Sequence, residues 1–241
     1  MDTSAGEAAF FARLSTDLLQ LHDEEPTLQR VVDRAVQVVG ACDWCGISLR
    51  RRRHKVETAA ASSEVAERCD QLQYDLGEGP CLEAIWDDDW YVTHDTSADT
   101  RWPRWGPQVA GHGVGSVLSI QLATDGEPLG ALNLYAGPVH AFTPDDVDLA
   151  LIFAAHATNA LSAARMVTGL QTAVQSRHLI GVAQGILMNR YELTLDQSFE
   201  VLRRFSSQAN VKLRYLAAAV IEHRRLPDLD LEELRRSSRE G

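Results

Sequence analysis

One stretch of the sequence decides the fold: Val114-Gly115-Ser116-Val117-Leu118-Ser119-Ile120-Gln121-Leu122-Ala123-Thr124-Asp125-Gly126-Glu127-Pro128-Leu129-Gly130-Ala131-Leu132-Asn133-Leu134-Tyr135. Two apolar runs, Val114 to Ala123 and Leu129 to Tyr135, flank the turn residues 124–128. Asp-Gly between two such runs is typical of a β-hairpin. The stretch therefore predicts two adjacent antiparallel strands.

Further strands and helices surround this hairpin. Short extended runs at 44–49 and 56–61 predict a second strand pair, so we expect a mostly antiparallel sheet. Apolar residues spaced three and four apart predict two helices before the first strand, the second running from Pro26 to Gly40. Between the strand pairs lies a Gly-, Pro- and Trp-rich stretch, 76–105, that holds four of the five tryptophans.

A third helix begins at Thr143-Pro144 and has no breaker before Gly169 and Gly181. Val167, Leu170 and Val174 follow the spacing of a coiled-coil seam. Three helices are then predicted at 175–190, 194–208 and 210–224, with a capping box at Thr194 and Gln197 and Asn210 as the last cap.

The predicted fold class is α+β: an antiparallel sheet flanked by helices, then a coiled-coil-like linker helix and an all-α three-helix module. We expect a sheet domain at 1–165, the linker and module at 166–226, and a charged, disordered tail at 227–241.

Charge is divided unequally along the chain. Residues 1–164 carry 11 Lys and Arg against 25 Asp and Glu, whereas residues 165–225 carry 9 against 4. The second segment is thus basic although the whole chain has a net charge of −11. Clustered Lys and Arg are what phosphate contacts need. The candidate phosphate contacts are Arg177, Arg190, Arg203, Arg204, Lys212 and Arg214. Charge alone leaves RNA, DNA, an acidic partner and a merely solvated face open.

Three motifs in the basic segment carry a resemblance: Ile180-Gly181-Val182-Ala183-Gln184-Gly185-Ile186-Leu187-Met188, then Leu202-Arg203-Arg204, then Asn210-Val211-Lys212-Leu213. With this spacing, residues 168–225 resemble the ANTAR family of RNA-binding domains. The resemblance implies a transcription antitermination regulator that is a dimer through the linker helix and the ANTAR modules. It also implies that the paired modules bind two hexaloop stem-loops in nascent mRNA, so that an overlapping terminator does not form.

Gln184 and Gly185 complete the predicted RNA-binding set. Many ANTAR members have Lys where this chain has Gln184, and glutamine can read a base edge but adds no phosphate charge. We therefore expect either a lower RNA affinity or a weaker salt dependence of RNA binding than in a lysine-bearing relative. Gly185 has an alternative interpretation, in which it only permits close helix–helix approach.

The order of elements in residues 1–165, with Gly79-Pro80-Cys81 and Leu129-Gly130-Ala131-Leu132-Asn133-Leu134, resembles a GAF domain. The resemblance implies a sensory module, and fold-level analogy does not select its ligand. Cys81, Trp86, Trp90 and Trp105 are the candidate ligand-binding residues, although the tryptophans have the alternative role of a simple lid. Cys81 follows Gly79-Pro80, where a helix N-terminus would lower its pKa.

No catalytic residue, metal site or cofactor is predicted. His94-Asp95 has no nucleophile placed beside it, and Cys42 and Cys45 are expected on opposite faces of a strand. The apolar stretch 147–167 is interrupted by polar residues, so we expect no membrane span, and we expect a cytoplasmic chain with reduced thiols. Two rival functions stay open: a DNA-binding helix-turn-helix regulator opened by Lys212 and Arg214, and a GAF-type enzyme with a docking bundle.

Overall fold

A computed structural model describes residues 3–51, 55–86, 90–124 and 126–226. The tail predicted for residues 227–241 lies outside them. The elements in chain order are α1 (Thr3–Leu19), α2 (Glu24–Val38), β1 (Trp44–Arg50), β2 (Val56–Ala61), α3 (Glu64–Leu76), α4 (Pro80–Trp86), β3 (Trp90–Thr93), α5 (Gly106–Gly111), β4 (Ser116–Thr124), β5 (Glu127–Ala136), α6 (Pro144–Tyr191), α7 (Leu195–Ala209) and α8 (Leu213–His223).

The five strands form one antiparallel sheet in the order β2-β1-β5-β4-β3. The predicted hairpin is confirmed as β4 and β5, which pair from Ser116–Ala136 to Thr124–Glu127. Its turn is shorter than the predicted 124–128, because Glu127 and Pro128 already belong to β5. Gly126 has φ +79°, a conformation that glycine adopts without steric cost, while Asp125 lies outside the described residues.

The segment between β2 and β4 contains three helices that were not predicted from the sequence. Helix α3 begins after Ser63, whose side chain accepts a hydrogen bond from the Ala66 amide, and ends at Gly77 with φ +62°. Helices α4 and α5 follow in the Gly- and Pro-rich segment. Helix α2 begins two residues before Pro26 and ends before Gly40, so its predicted bounds were shifted.

Each face of the sheet has its own core. Leu132 and Leu134 of β5 point into a core shared with α1, α2 and the first part of α6, which includes Leu18, Val31 and Phe153. The alternate residues of β5 point to the other face, because successive side chains of a strand alternate. There α3, α4 and α5 cover the sheet. The rings of Trp102 and Trp105 pack edge to face, with 6.1 Å between their centroids.

Helix α6 is 48 residues long and runs through Gly169 and Gly181 without a break. By length and composition alone, it is long and apolar enough to cross a membrane. Its apolar residues Ala150, Phe153, Ala157, Ala160 and Leu161 are buried in the sheet core. That face of the helix therefore already packs against protein.

The chain divides into two compact units, Met1–Thr168 and Gly169–Gly241. In the second unit, α7 and α8 pack with the end of α6 around the buried residues Ala183, Leu187, Leu202, Leu216 and Val220. The predicted capping box of Thr194 and Gln197 is confirmed at the start of α7. The predicted cap at Asn210 was wrong: Asn210 ends α7 with φ +53°, and Lys212 precedes α8 as its N-cap.

Candidate functional site

The structure distributes the predicted RNA-binding residues over the three helices of the second unit. Helix α6 carries Arg177, Gln184, Gly185 and Arg190; α7 carries Arg203 and Arg204; Lys212 and Arg214 lie at the start of α8. Gln184 and Arg214 are half-buried, and the other six residues are exposed. All eight residues therefore have some access to solvent.

Arg203 is paired with an acid on its own helix. Its guanidinium contacts the Glu200 carboxylate, with Nη2 2.7 Å from Oε2 and Nε 3.1 Å from Oε1. The hydrogen bond raises the pKa of Arg203 and lowers the pKa of Glu200. The positive charge of Arg203 is thus offset locally, so a phosphate must compete with Glu200 for this guanidinium.

Arg214 contacts an aromatic neighbour instead of an acid. Its guanidinium carbon lies 4.7 Å from the ring centroid of Tyr215, and its Nη2 donates to the Tyr215 hydroxyl at 2.8 Å. That hydrogen bond lowers the pKa of the Tyr215 phenol. Arg190 lies farther, 5.9 Å, from the ring of Tyr191. Arg214 keeps its net positive charge in this contact because the protonated phenol is neutral.

Gln184 links two helices of the unit. Its amide nitrogen donates to the Leu195 carbonyl at 3.1 Å and to Ser198 Oγ at 3.4 Å, at the start of α7. Ser198 Oγ itself donates to the same carbonyl at 2.7 Å. These bonds give Gln184 a structural task in addition to the base contact predicted for it.

Gly185 is exposed, and a Cβ added at this position would meet no atom within 4 Å. The same holds for Gly181, one turn earlier. Close helix–helix approach inside the chain therefore does not explain Gly185. A helix-interior glycine lowers helix stability relative to alanine, by about 0.5–1 kcal/mol. Gly185 carries this cost without an internal packing gain.

An exposed apolar stripe, formed by Met166, Leu170 and Val174, lies on α6. These side chains follow one another at four-residue spacing and are 66%, 62% and 66% exposed. Val167, named in the predicted seam, is half-buried, and Met166 takes its place on the exposed surface. Large apolar side chains at such exposure mark a surface that gains stability when covered.

The first unit contains a buried polar network around Asp70. Asp70 Oδ1 accepts hydrogen bonds from the Tyr135 hydroxyl at 2.5 Å and from Asn133 Nδ2 at 2.8 Å, and Oδ2 accepts from Thr58 at 3.2 Å. Burial raises the pKa of Asp70 to about 7, while those hydrogen bonds oppose the shift. A Cβ on Gly46 would collide with Asp70 Oδ2, so glycine there admits the carboxyl.

The network continues from Asn133 towards the surface. Asn133 Nδ2 donates to Ser48 Oγ at 2.9 Å, and Ser48 shares a 2.6 Å hydrogen bond with the Tyr74 hydroxyl. The Cys81 thiol contacts Ser48 Oγ at 3.0 Å. Asn133 Oδ1 has no hydrogen-bond partner in the described part of the chain. Of this network only Cys81 was named from the sequence as a candidate site residue; Asp70 and Tyr74 were not, because they lie on the unpredicted helix α3.

Beside Tyr74 the surface opens into a cleft of about 540 Å³ between β2, α3 and α4. Its lining residues are Lys55, Val56, Glu57, Gln71, Tyr74, Leu82 and Trp86. Trp86 is 39% exposed, and the Arg50 guanidinium lies 4.8 Å from its ring centroid. Aromatic walls with a charged rim are typical of small-molecule sites.

The other predicted ligand residues lie elsewhere. Trp105 is fully buried and donates its indole N–H to the Cys69 carbonyl, and Trp90 lies on the edge strand β3. Cys81 lies behind the cleft in the polar network. The alternative of a lowered pKa for Cys81 is contradicted, because burial raises the pKa of this thiol to about 12. The described residues contain no group of three or more His, Cys, Asp or Glu placed to hold a metal ion.

Comparison with known families agrees with this architecture. The GAF domain family matches residues 22–162, which span the sheet, helices α2 to α5 and the first part of α6. The chain belongs to the GAF domain family. The ANTAR domain family matches residues 168–221, which hold the end of α6 with α7 and α8. The order of the two domains is that of a GAF–ANTAR regulator, and both predicted resemblances are confirmed.

Solved structures share the fold of the GAF domain. The GAF domain of a phosphoenolpyruvate-protein phosphotransferase from Coxiella burnetii is 16% identical, with a TM-score of 0.55 over 69% of this chain and 99% of that chain. Free methionine-R-sulfoxide reductase from Neisseria meningitidis, in complex with its substrate, is also 16% identical, with a TM-score of 0.52 over 64% and 87%. No curated protein sequence matches the chain.

From its two family matches, the GAF–ANTAR chain combines a sensor domain with an RNA-binding domain of antitermination regulators.

Proposed function

We propose that the GAF–ANTAR chain acts as a dimer whose two ANTAR domains bind paired six-nucleotide-loop hairpins in nascent mRNA. Binding would stop an overlapping terminator hairpin from forming and let transcription continue. The observation that carries this proposal is the ANTAR match over a segment whose exposed cations include Arg177, Arg204 and Lys212. Bases in RNA loops are open to stacking and edge contacts, which duplex grooves restrict.

Transcription in vitro tests this function directly. The template encodes two hairpins with six-nucleotide loops, the second overlapping a terminator, and readthrough is measured with and without the chain. The proposal expects readthrough to rise with the chain and to need both loops. A matched template with four-nucleotide loops is the control. Equal readthrough from the two templates, or a stronger shift with duplex DNA than with hairpin RNA at matched salt, contradicts the proposal.

Dimerisation is proposed through the exposed stripe of Met166, Leu170 and Val174. Leu170 and Val174 lie inside the ANTAR match and Met166 lies just before it on α6, and a second copy would cover these apolar side chains in a coiled-coil contact. Leu170→Glu with Val174→Glu places charges on this seam, so we expect a monomer by analytical ultracentrifugation.

The matched control uses the same change of charge on a neighbouring face of the helix. Gln171→Glu with Gln175→Glu alters two exposed residues one position further along α6. This variant should stay dimeric. A dimer that survives the Leu170 and Val174 changes contradicts pairing through the stripe.

The sensor ligand is proposed to be a small planar organic molecule that binds in the cleft between Tyr74 and Trp86. Their rings and Leu82 suit a planar apolar group, and Lys55 and Glu57 suit polar substituents at the rim. The free methionine-R-sulfoxide reductase shows that an enzyme can share this fold. Here the four cysteines are buried, which raises their pKa values and favours a sensor over thiol catalysis.

A thermal-shift screen with free purines, pyrimidines and indole carboxylic acids tests the cleft. A ligand at a hundred times its Kd stabilises the folded domain by about 2.7 kcal/mol. Leu82→Lys should remove the shift by placing a charge in the cleft. His112→Lys, outside the cleft, is the control. A shift that survives Leu82→Lys places the ligand elsewhere.

A further inference from the structure

Each tyrosine of the ANTAR domain directly follows an arginine, at Arg190-Tyr191 and Arg214-Tyr215. The second pair is closer, with 4.7 Å between guanidinium carbon and ring centroid against 5.9 Å in the first. It also has a hydrogen bond between Arg214 Nη2 and the Tyr215 hydroxyl. Two contacts on one guanidinium hold its plane in place, so less side-chain entropy remains to be lost on binding.

We propose that Arg214 and Tyr215 form a stacking platform for one unpaired base of the bound RNA loop. The inference rests on the proposed RNA-binding function and names two residues that would contact the loop. Both side chains are half-buried, so part of each stays open to a ligand. Unstacked loop bases are recognised on aromatic rings and on guanidinium planes, and every base has such a face.

The surroundings favour a base over a simple phosphate contact. A phosphate needs a positive charge but no ring, and Lys212, exposed two residues earlier, already supplies a point charge. Arg203 on α7 differs from Arg214, because the Glu200 carboxylate pairs with its guanidinium and offsets its charge. Arg214 and Tyr215 together offer a positive charge and two flat surfaces, the guanidinium plane and the phenol ring. A base in a negatively charged RNA loop can stack on such surfaces.

The test uses the full chain and one RNA, selected by the unchanged chain from a pool with two hairpins and randomised six-nucleotide loops. Arg214→Lys keeps the charge and removes the plane, so we expect about tenfold weaker binding with an unchanged salt slope. Tyr215→Leu removes the ring and should cost a similar factor. Tyr215→Phe keeps the ring and loses the anchoring hydroxyl, so its loss should be smaller.

Loss of a single base supplies the second readout. Copies of the RNA that lack the base at one loop position are titrated against each variant. At the stacked position, the unchanged chain should lose about tenfold, whereas Arg214→Lys should lose nothing further. Arg224→Lys, an exposed arginine at the other end of α8, is the matched control and should bind like the unchanged chain.

Three results decide the inference. Unchanged affinity in both Arg214→Lys and Tyr215→Leu overturns it. Equal sensitivity of Arg214→Lys and the unchanged chain to base loss at every loop position also overturns it, because no position is then coupled to the guanidinium. If the unchanged chain selects no RNA from the pool, the proposed function fails and this inference fails with it.

Discussion

At the scale of single residues, Asp70 is the clearest source of pH dependence. Its pKa is about 7 in the folded state against 3.8 ordinarily, so folded chains hold a proton that unfolded chains release between those pH values. The stabilisation is complete below the lower value, falls as pH rises through 7, and is lost above it. From this group we expect unfolding free energy to fall by at most about 1.4 kcal/mol per pH unit.

Asp70→Asn tests this dependence because the amide is nearly isosteric and stays neutral. It keeps an acceptor for Tyr135 and Asn133, and should remove the slope between about pH 4 and pH 7. Urea titrations followed by tryptophan fluorescence report this domain, because all five tryptophans lie in it. Asp75→Asn, on the exposed side of α3, is the control and should keep the slope. A slope that persists unchanged in Asp70→Asn contradicts its assignment to this carboxyl.

Replacing Gly185 by alanine should have opposite effects on the stability of the ANTAR domain and on its RNA affinity. Gly185→Ala adds a methyl group into open space, so the ANTAR domain should gain about 0.5–1 kcal/mol of stability. If RNA approaches this backbone closely, the same methyl group weakens binding by about tenfold, or ~1.4 kcal/mol. Hydrogen exchange of α6 amides measures the first effect, and hairpin titration measures the second.

Gly169→Ala is the matched control for this substitution. Gly169 lies on the same helix, is exposed, and has equally open space where a Cβ would lie. It should stabilise α6 without changing RNA affinity. If Gly185→Ala also binds RNA like the unchanged chain, Gly185 is not part of the binding surface.

At the scale of elements, local signals explain what the sequence could predict. The Asp-Gly turn fixed β4 and β5, and the capping box fixed the start of α7, because both depend on neighbouring residues. Helix α3 was not predicted, because the Gly- and Pro-rich residues that follow it directly are typical of loops. Its boundaries, Ser63 and Gly77, are ordinary helix signals. The polar network around Asp70 depends on residues more than sixty positions apart, which no local pattern brings together.

Gln184 links α6 to α7, and two substitutions at this position distinguish its effect on stability from its effect on RNA binding. Gln184→Leu removes its hydrogen bonds to Leu195 and Ser198, so the packing of α6 against α7 should lose about 1 kcal/mol. Gln184→Lys keeps a donor there and adds a charge. If that charge reaches a phosphate, the salt slope of RNA binding steepens by about 0.7–0.9 per module. Thermal unfolding and salt titrations distinguish the two variants, and an unchanged slope in Gln184→Lys limits residue 184 to its structural role.

At the scale of the whole molecule, charge sets how many ANTAR domains must bind. Residues 165–225 hold 9 Lys and Arg against 4 Asp and Glu, and Glu200 offsets one of those arginines. The rest of the chain is acidic and repels RNA at low salt, so a single module offers few phosphate contacts. We therefore expect useful affinity only when the two modules of the proposed dimer engage two loops at once.

Linking two hairpins on one RNA makes the second contact intramolecular, at an effective concentration near millimolar for a short spacer. We expect the full chain to bind the two-hairpin RNA about 10²- to 10⁴-fold more tightly than either hairpin alone, with about twice the salt slope. Lengthening the spacer lowers this gain gradually, because effective concentration falls with linker length.

Equal affinity for one and two hairpins would mean that each module binds independently. The Leu170→Glu, Val174→Glu variant would then lose no RNA affinity. A gain that disappears in that variant while single-hairpin binding stays unchanged ties RNA affinity to dimerisation through α6.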